Sequence, residues 1–185
     1  MVESAFGWIG QLIEWFGQFI PRALVVNITQ GAVKMRLGNE ITELLPGKVH
    51  IYWPFISTVK IVDTARQTLD LTTQTFDTKD GICVLASGMI TYQVNDVVAL
   101  LTTVYDPDNT IRDVGMSTVQ EVLVRYTYEE LKSGNEAGTL KKELAREAQR
   151  ELKTYGIKVL KVGIKDLAKT TLYKVALEQS TDGMH

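Results

Sequence analysis

The sequence predicts an α+β domain: a mostly antiparallel sheet comes first, packed helices follow, one strand closes the domain, and an apolar helix precedes it. Two observations carry this prediction. Short runs rich in β-branched and aromatic residues, bounded by Gly, Pro, Asn or Asp, continue to about residue 94. After residue 106, apolar residues recur at helical spacing as far as Gly156, and an apolar run then resumes.

The composition argues against several classes of function. A formal net charge of −2 over 185 residues provides no basic face for nucleic acid. The single cysteine, Cys83, excludes an internal disulfide framework and a thiolate zinc site, and it reads as a core residue. The two histidines, His50 and His185, lack metal-ligand spacing, and no phosphate-binding loop or nucleophile elbow occurs. We therefore predict no catalytic residue, no cofactor and no metal, and a protein that is not an enzyme.

The first 22 residues are predicted to form an apolar, membrane-associating helix that precedes the domain. At 100° per residue, Glu3, Gln11, Glu14 and Gln18 fall with three glycines on one narrow stripe, and the rest of the surface is bulky and apolar. The residues predicted to insert into a membrane are Phe6, Trp8, Ile9, Leu12, Ile13, Trp15, Phe16, Phe19 and Ile20.

The segment is compatible with four placements of this helix to different degrees. A helix in the membrane interface is favoured, because it buries the aromatic face without burying a charge. A spanning helix has the length, but it would put Glu14 near the middle of the bilayer. A helix packed on a partner subunit stays open. A cleaved signal peptide is disfavoured, since no Lys or Arg precedes Arg22.

Hydrophobic periodicity and turn residues such as Gly, Pro, Asn and Asp divide the body of the chain into strands and helices. Asp106-Pro107 predicts a helix start, Thr127 begins a capping box, and a third helix buries Leu140, Leu144, Ala148 and Leu152. A slip in the last strand between Val159 and Leu160 predicts a bulge. A short helix within Leu167–Gln179 and a polar tail complete the chain. The predicted strands are 23–29, 33–37, 49–53, 59–63, 67–71, 82–94 and 157–164.

Several short motifs follow one another along the body of the chain, each mostly turn residues and apolar strand. The motifs are Gly31–Gly38, Leu45-Pro46-Gly47, Ile51–Ile56, Asp63–Arg66, Thr78–Gly81, Met89–Val94, Gly156–Val159 and Val162–Asp166. Their order is specific, and over roughly residues 24–168 it resembles the SPFH (stomatin–prohibitin–flotillin, or Band 7) domain. With the apolar segment at 1–22, this resemblance predicts a domain at 23–168 and a short helix with a polar tail at 169–185.

The resemblance implies a scaffold that is held on one leaflet of a bilayer, self-assembles into a ring or cage, and organises lipids or partner proteases and channels. Such proteins usually continue into a long helix, whereas only a short segment follows the closing strand here. Lys and Arg appear only from Arg22 onward, which favours the cytoplasmic face for the domain.

Two further questions stay open at the level of sequence. Tyr52, Trp53 and Phe55 are either a second membrane contact or part of the core. The alternative function is a soluble structural or assembly subunit, for example of a virus, whose aromatic helix packs between protomers. An enzyme would have to use the acids Asp77, Asp80, Asp106 and Asp108, which turn and cap positions explain without chemistry.

Overall fold

The computed structural model describes residue 17, residues 20–38 and residues 40–170, apart from the side chains of 135–137. Strands dominate the first half of this part and helices the second. The strands are β1 (Arg22–Val25), β2 (Gln30–Arg36), β3 (Glu40–Leu44), β4 (Val49–Tyr52), β5 (Ser57–Asp63), β6 (Gln67–Asp77), β7 (Cys83–Val94) and β8 (Ile157–Lys169). The helices are α1 (Val97–Thr103), α2 (Pro107–Leu123), α3 (Tyr128–Ala137) and α4 (Thr139–Leu152), with a 3-10 turn at Lys153–Tyr155.

The described strands form three antiparallel sheets. β1 pairs with β4 in a two-stranded ribbon, β2 lies between β3 and β5, and β7 lies between β6 and β8. Helices separate β7 from β8, so the last strand returns to a sheet begun much earlier in the chain. The predicted α+β fold, with antiparallel sheets, following helices and a closing strand, is confirmed.

Strand β2 separates two hydrophobic cores because its side chains alternate between faces. Val33 faces the larger core, which sheet β6-β7-β8 shares with the helices and which includes the predicted helical residues Leu144 and Ala148. Ala32 faces a smaller core with Val26 and Leu44, against which Leu24 of the ribbon packs. The ribbon therefore lies on the side of β2 opposite the helices.

Helix α1 was not predicted from the sequence. Its residues, Val-Val-Ala-Leu-Leu-Thr-Thr, have strand-like composition, but Asp96 caps the helix by accepting a hydrogen bond from the Ala99 N–H at 2.8 Å. The helix packs directly on β2, where a Cβ at Gly31 would lie 2.3 Å from Val97 Cγ2. Strand β3 was also missed, because four of its five residues are exposed and no apolar alternation marks it.

Strands β6 and β8 continue beyond their predicted ends at Leu71 and Ile164. The predictions stopped too early because bulges at these points interrupt the alternation of apolar and polar residues. The pairing of β6 shifts between Leu71 and Gln74. The pairing of β8 shifts at Leu160, as predicted, and again at Lys165. Residues 167–169 are therefore strand and not the start of a terminal helix, and the rest of that predicted helix lies outside the described residues.

Gly156 joins the end of the helical segment to the start of α1. Its φ is +75°, a left-handed conformation that suits glycine. Its carbonyl oxygen accepts hydrogen bonds from the backbone N–H groups of Asn95 and Asp96, at 2.9 and 3.0 Å. A Cβ at this position would lie 2.5 Å from the Asp96 carbonyl oxygen.

Candidate functional site

The β1–β4 ribbon has one face packed on the smaller core and one face open to solvent. Val25 and Val49 lie directly opposite each other, and Ile51 pairs with Ala23. The side chains of Val25, Val49 and Ile51, here called the apolar ribbon, are 62%, 64% and 70% exposed. Apolar residues on the solvent side of a strand pair are unusual unless something covers them.

Exposed apolar side chains continue at both ends of the apolar ribbon. At one end is the turn containing Gly47, whose φ is +75° and whose N–H donates to the Val26 carbonyl at 2.8 Å. Ile28, next to this turn, is 85% exposed, and Leu45 precedes it. The other end is the turn that follows β4.

The turn after β4 presents the aromatic residues predicted from the sequence. The Trp53 carbonyl accepts hydrogen bonds from the Ser57 N–H and Oγ, at 2.9 and 2.8 Å, which closes the turn. Trp53 is 50% exposed and Phe55 is 62% exposed, whereas Tyr52 is half-buried. Trp53 and Phe55 are therefore surface residues, so the core alternative is wrong for them, and their contact with a membrane stays a prediction.

Most of the N-terminal residues predicted to insert into a membrane lie outside the described residues: Phe6, Trp8, Ile9, Leu12, Ile13, Trp15, Phe16 and Phe19. The ninth, Ile20, is described and exposed, and its N–H donates to the Gly17 carbonyl at 3.4 Å. In the part of the chain that is described, no helix combines the length and apolar character needed to cross a bilayer.

The four acids considered for catalysis have separate structural partners. Asp106 caps α2 by accepting from the Asn109 N–H and Nδ2, and Asp108 lies 3.2 Å from the Tyr92 hydroxyl. Burial raises the pKa of the Cys83 thiol, and Asp77, which pairs with Cys83 across the β6–β7 hairpin, raises it further. Within residues 20–38 and 40–170, no three His, Cys, Asp or Glu side chains group as metal ligands.

Asp80 connects the β6–β7 turn to the start of α3. Its carboxylate accepts from the Thr78 hydroxyl and from the Tyr128 N–H, at 3.3 Å. The Thr78 hydrogen bond, opposed by desolvation and helped by backbone donors, lowers the pKa of Asp80 from 3.8. The charged form is thus the one that the fold favours, as expected for an anion at a helix N-terminus.

We expect Asp80→Asn to reduce stability at neutral pH and to have little effect in acid. A carboxyl group whose pKa is lower in the folded state than in the unfolded state stabilises the fold at pH values above its unfolded-state pKa. That stabilisation is lost as the pH falls through the folded-state pKa. The difference in thermal midpoint between wild type and variant should therefore shrink below about pH 4. Thermal melts from pH 7 to pH 3 measure it, with Asp113→Asn on α2 as control; a difference that does not change with pH would contradict the assignment.

The apolar ribbon was not predicted, because the strands at 23–29 and 49–53 were assigned without a buried face. Leu24-Val25-Val26 places apolar residues on both faces of its strand, which is also typical of a strand buried on both sides. Val49 and Ile51 share one face of theirs, and nothing local in the sequence indicates whether that face meets a core or solvent. A ribbon of four-residue strands leaves one face without a partner.

One family model and one related protein match most of the chain. Residues 23–181 match the family model described as SPFH domain / Band 7 family. An uncharacterized protein of Archaeoglobus fulgidus is 28% identical over 160 residues. That alignment covers 86% of this chain and 63% of the relative, so the chain spans less than two thirds of the relative's length.

Proposed function

This chain belongs to the SPFH domain / Band 7 family, and from that premise we propose that it is a membrane-associated scaffold protein. Its apolar ribbon and its N-terminal segment form the lipid contact. Copies of the chain associate on one leaflet, as a ring or cage, and organise lipids or partner membrane proteins such as proteases or channels. The domain lies on the cytoplasmic face.

One observation carries the lipid contact: the apolar ribbon is exposed beside further apolar side chains at both of its ends. Transfer of such side chains out of water is favourable by about 25 cal/mol per Å². Trp53 and Phe55 are residues that suit the membrane interface, where aromatic rings are enriched. Because Ile20 leads through Pro21 into β1, the predicted N-terminal helix reaches the domain at this same ribbon.

Cations flank the apolar ribbon and fit the same proposal. Arg22 begins β1 and Lys48 precedes β4, so one basic residue stands near each end of the ribbon, and both are exposed. Long basic side chains can lie along apolar surface while the charge reaches the headgroups. This arrangement supports a ribbon that lies in the interface with its charges in the headgroup layer.

Flotation of the full-length protein with liposomes, followed by negative-stain imaging, tests the proposal. Material that floats and shows closed assemblies on vesicles would support a membrane scaffold. Protein that stays at the bottom of the gradient and assembles without lipid would contradict it. In that case the exposed apolar residues cover one another between subunits, and the soluble assembly subunit becomes the function.

A further inference from the structure

A groove of about 620 Å³ lies between β5 and the connection from α1 to α2. One wall consists of four consecutive residues of β5, Lys60–Asp63. The opposite wall includes Leu101, Tyr105 and Asp106. A wall made of consecutive strand residues presents backbone groups as well as side chains.

The hydrogen-bond phase of β5 shows which backbone groups face the groove. The Thr64 N–H donates to the Thr29 carbonyl at 2.8 Å, and the Leu37 N–H donates to the Ile56 carbonyl at 2.9 Å. In an antiparallel pair, every second residue bonds to the neighbouring strand. With the observed register, Lys60 and Val62 bond to β2, and the N–H and C=O of Ile61 point the other way.

A hydrogen bond from Gln67 independently confirms which backbone groups of β5 point away from β2. The Gln67 Nε2 donates to the Asp63 carbonyl at 2.9 Å, so that carbonyl also lies on the outer side of β5. The Gln67 Oε1 in turn lies 3.1 Å from the buried Tyr92 hydroxyl, which fixes the amide at the end of the groove. The carbonyl of Asp63 is therefore occupied, and the Ile61 peptide groups stand at the middle of the open edge.

The outer edges of β3, β6 and β8 are protected in ways that β5 is not. Gln149 closes the start of β8: its Oε1 accepts from the Val159 N–H at 2.8 Å and its Nε2 donates to the Ile157 carbonyl at 3.1 Å. Register shifts interrupt the rest of β8 and the middle of β6. Strand β3 is short and carries Glu40 and Glu43. Such features discourage the addition of a strand, whereas β5 runs for seven residues without a bulge or proline.

The side chains around the groove indicate what kind of strand it accepts. Asp63, Asp106 and Asp108 contribute three carboxylates against the single amine of Lys60. Ile61 is 43% exposed and Tyr105 is 97% exposed, so apolar contact is available beside the acids. Ile61 lies on one face of β5, and Asp106 and Asp108 belong to the opposite wall. An incoming strand with alternating basic and apolar residues can turn its basic residues toward Asp106 and Asp108 and its apolar residues toward the Ile61 face, because its side chains alternate in direction.

We propose that β5 binds an extended cationic segment of a partner protein, which adds as a fourth strand to sheet β3-β2-β5. Main-chain hydrogen bonds to Ile61 supply affinity and the carboxylates select for basic residues. A second copy of the chain is a poor occupant, since its β3 and β6 edges carry acids and its β8 edge is closed by Gln149. Pairing of β5 with β5 of another copy would bring two grooves with the same excess of carboxylates together. This inference does not depend on attachment of the protein to a membrane.

Fluorescence polarisation with the full-length protein tests the proposal on three labelled seven-residue peptides. The probe is Lys-Val-Lys-Ile-Lys-Val-Lys; the comparison peptides replace lysine by glutamate, or the central isoleucine by proline. We expect the probe to bind at least tenfold more tightly than either comparison peptide, with affinity that falls as salt rises. Equal binding of the probe and the proline peptide would overturn strand addition.

A matched pair of proline variants locates the site. Ile61→Pro removes an outward N–H on β5, and Ile41→Pro removes an outward N–H on β3, the other edge of the same sheet. Ile61→Pro should lose at least tenfold in affinity for the probe while Ile41→Pro binds as wild type. Equal effects of the two variants would overturn the assignment to β5.

Two further measurements separate a folding defect from lost binding and identify the occupant of the groove. If circular dichroism shows that Ile61→Pro does not fold, Asp63→Lys replaces it: weaker binding of the lysine peptide and tighter binding of the glutamate peptide are expected, and unchanged preference overturns the proposal. Sedimentation velocity of wild type and Ile61→Pro (or Asp63→Lys) identifies the occupant. A variant that forms smaller assemblies than wild type would show that the groove holds a second copy.

Discussion

Replacement of both Val49 and Ile51 by glutamate is expected to lower the liposome partition coefficient of the full-length protein by about 30-fold to 1,000-fold. Complete burial of a valine or isoleucine is worth about 1.5–3 kcal/mol. Because these side chains are 64% and 70% exposed, most of that remains to be gained at a membrane. A loss of roughly 2–4 kcal/mol corresponds to the stated range at about 1.4 kcal/mol per factor of ten.

The control for this prediction carries the same change of charge on other exposed apolar residues. Ile41 on β3 and Val124 after α2 are 45% and 41% exposed and lie outside the apolar ribbon. Ile41→Glu with Val124→Glu should float like wild type. Equal losses in the two double variants would mean that added negative charge alone weakens binding. Unchanged flotation of the ribbon variant would mean that the ribbon does not contact lipid.

The second large effect is expected at Gly156. Alanine there must adopt a left-handed φ of +75°, which costs about 1–2 kcal/mol. Its Cβ also overlaps the Asp96 carbonyl oxygen at 2.5 Å, which adds about 1–3 kcal/mol of strain. We expect Gly156→Ala to lower the free energy of unfolding by about 2–5 kcal/mol, measured by urea denaturation.

Gly81→Ala separates the two causes. Gly81 has a φ of +73° and nothing within 4 Å of its Cβ position, so only the backbone cost of about 1–2 kcal/mol should appear. The difference between the variants then reports the contact with Asp96. Equal losses at both positions would show that the junction between α1 and the end of the helical segment relaxes without cost.

Much of the fold followed from local chemistry that the sequence displays. The capping box at Thr127 is present, since its Oγ1 accepts from the Glu130 N–H and Glu130 Oε2 accepts from the Thr127 N–H. The bulge at Leu160 was visible as a slip in alternation. These features are specified by residues a few positions apart, and periodicity is a sufficient guide to them.

The remaining features depend on which distant surfaces meet. Helix α1 has β-branched residues at its start and forms because Gly31 lets it lie against β2. The groove beside β5 exists because the chain places the α1–α2 connection next to an edge strand, and no short motif marks this. The apolar ribbon was missed for the same reason: burial of Leu24 and exposure of Val25 are decided by the position of the smaller core.

Because β2 contributes Ala32 to the smaller core and Val33 to the larger one, the two cores differ in their expected cooperativity. Among the residues that the structure describes, three are buried in the smaller core, far fewer than in the larger one, so we expect the ribbon to open locally at a lower free energy than the whole domain. The amides of β2 remain protected during such an opening, since its other face stays packed on the larger core. We therefore expect the amide hydrogens of β1 and β4 to exchange through a sub-global opening, which would let the ribbon adjust to an uneven surface while the helical body keeps its shape.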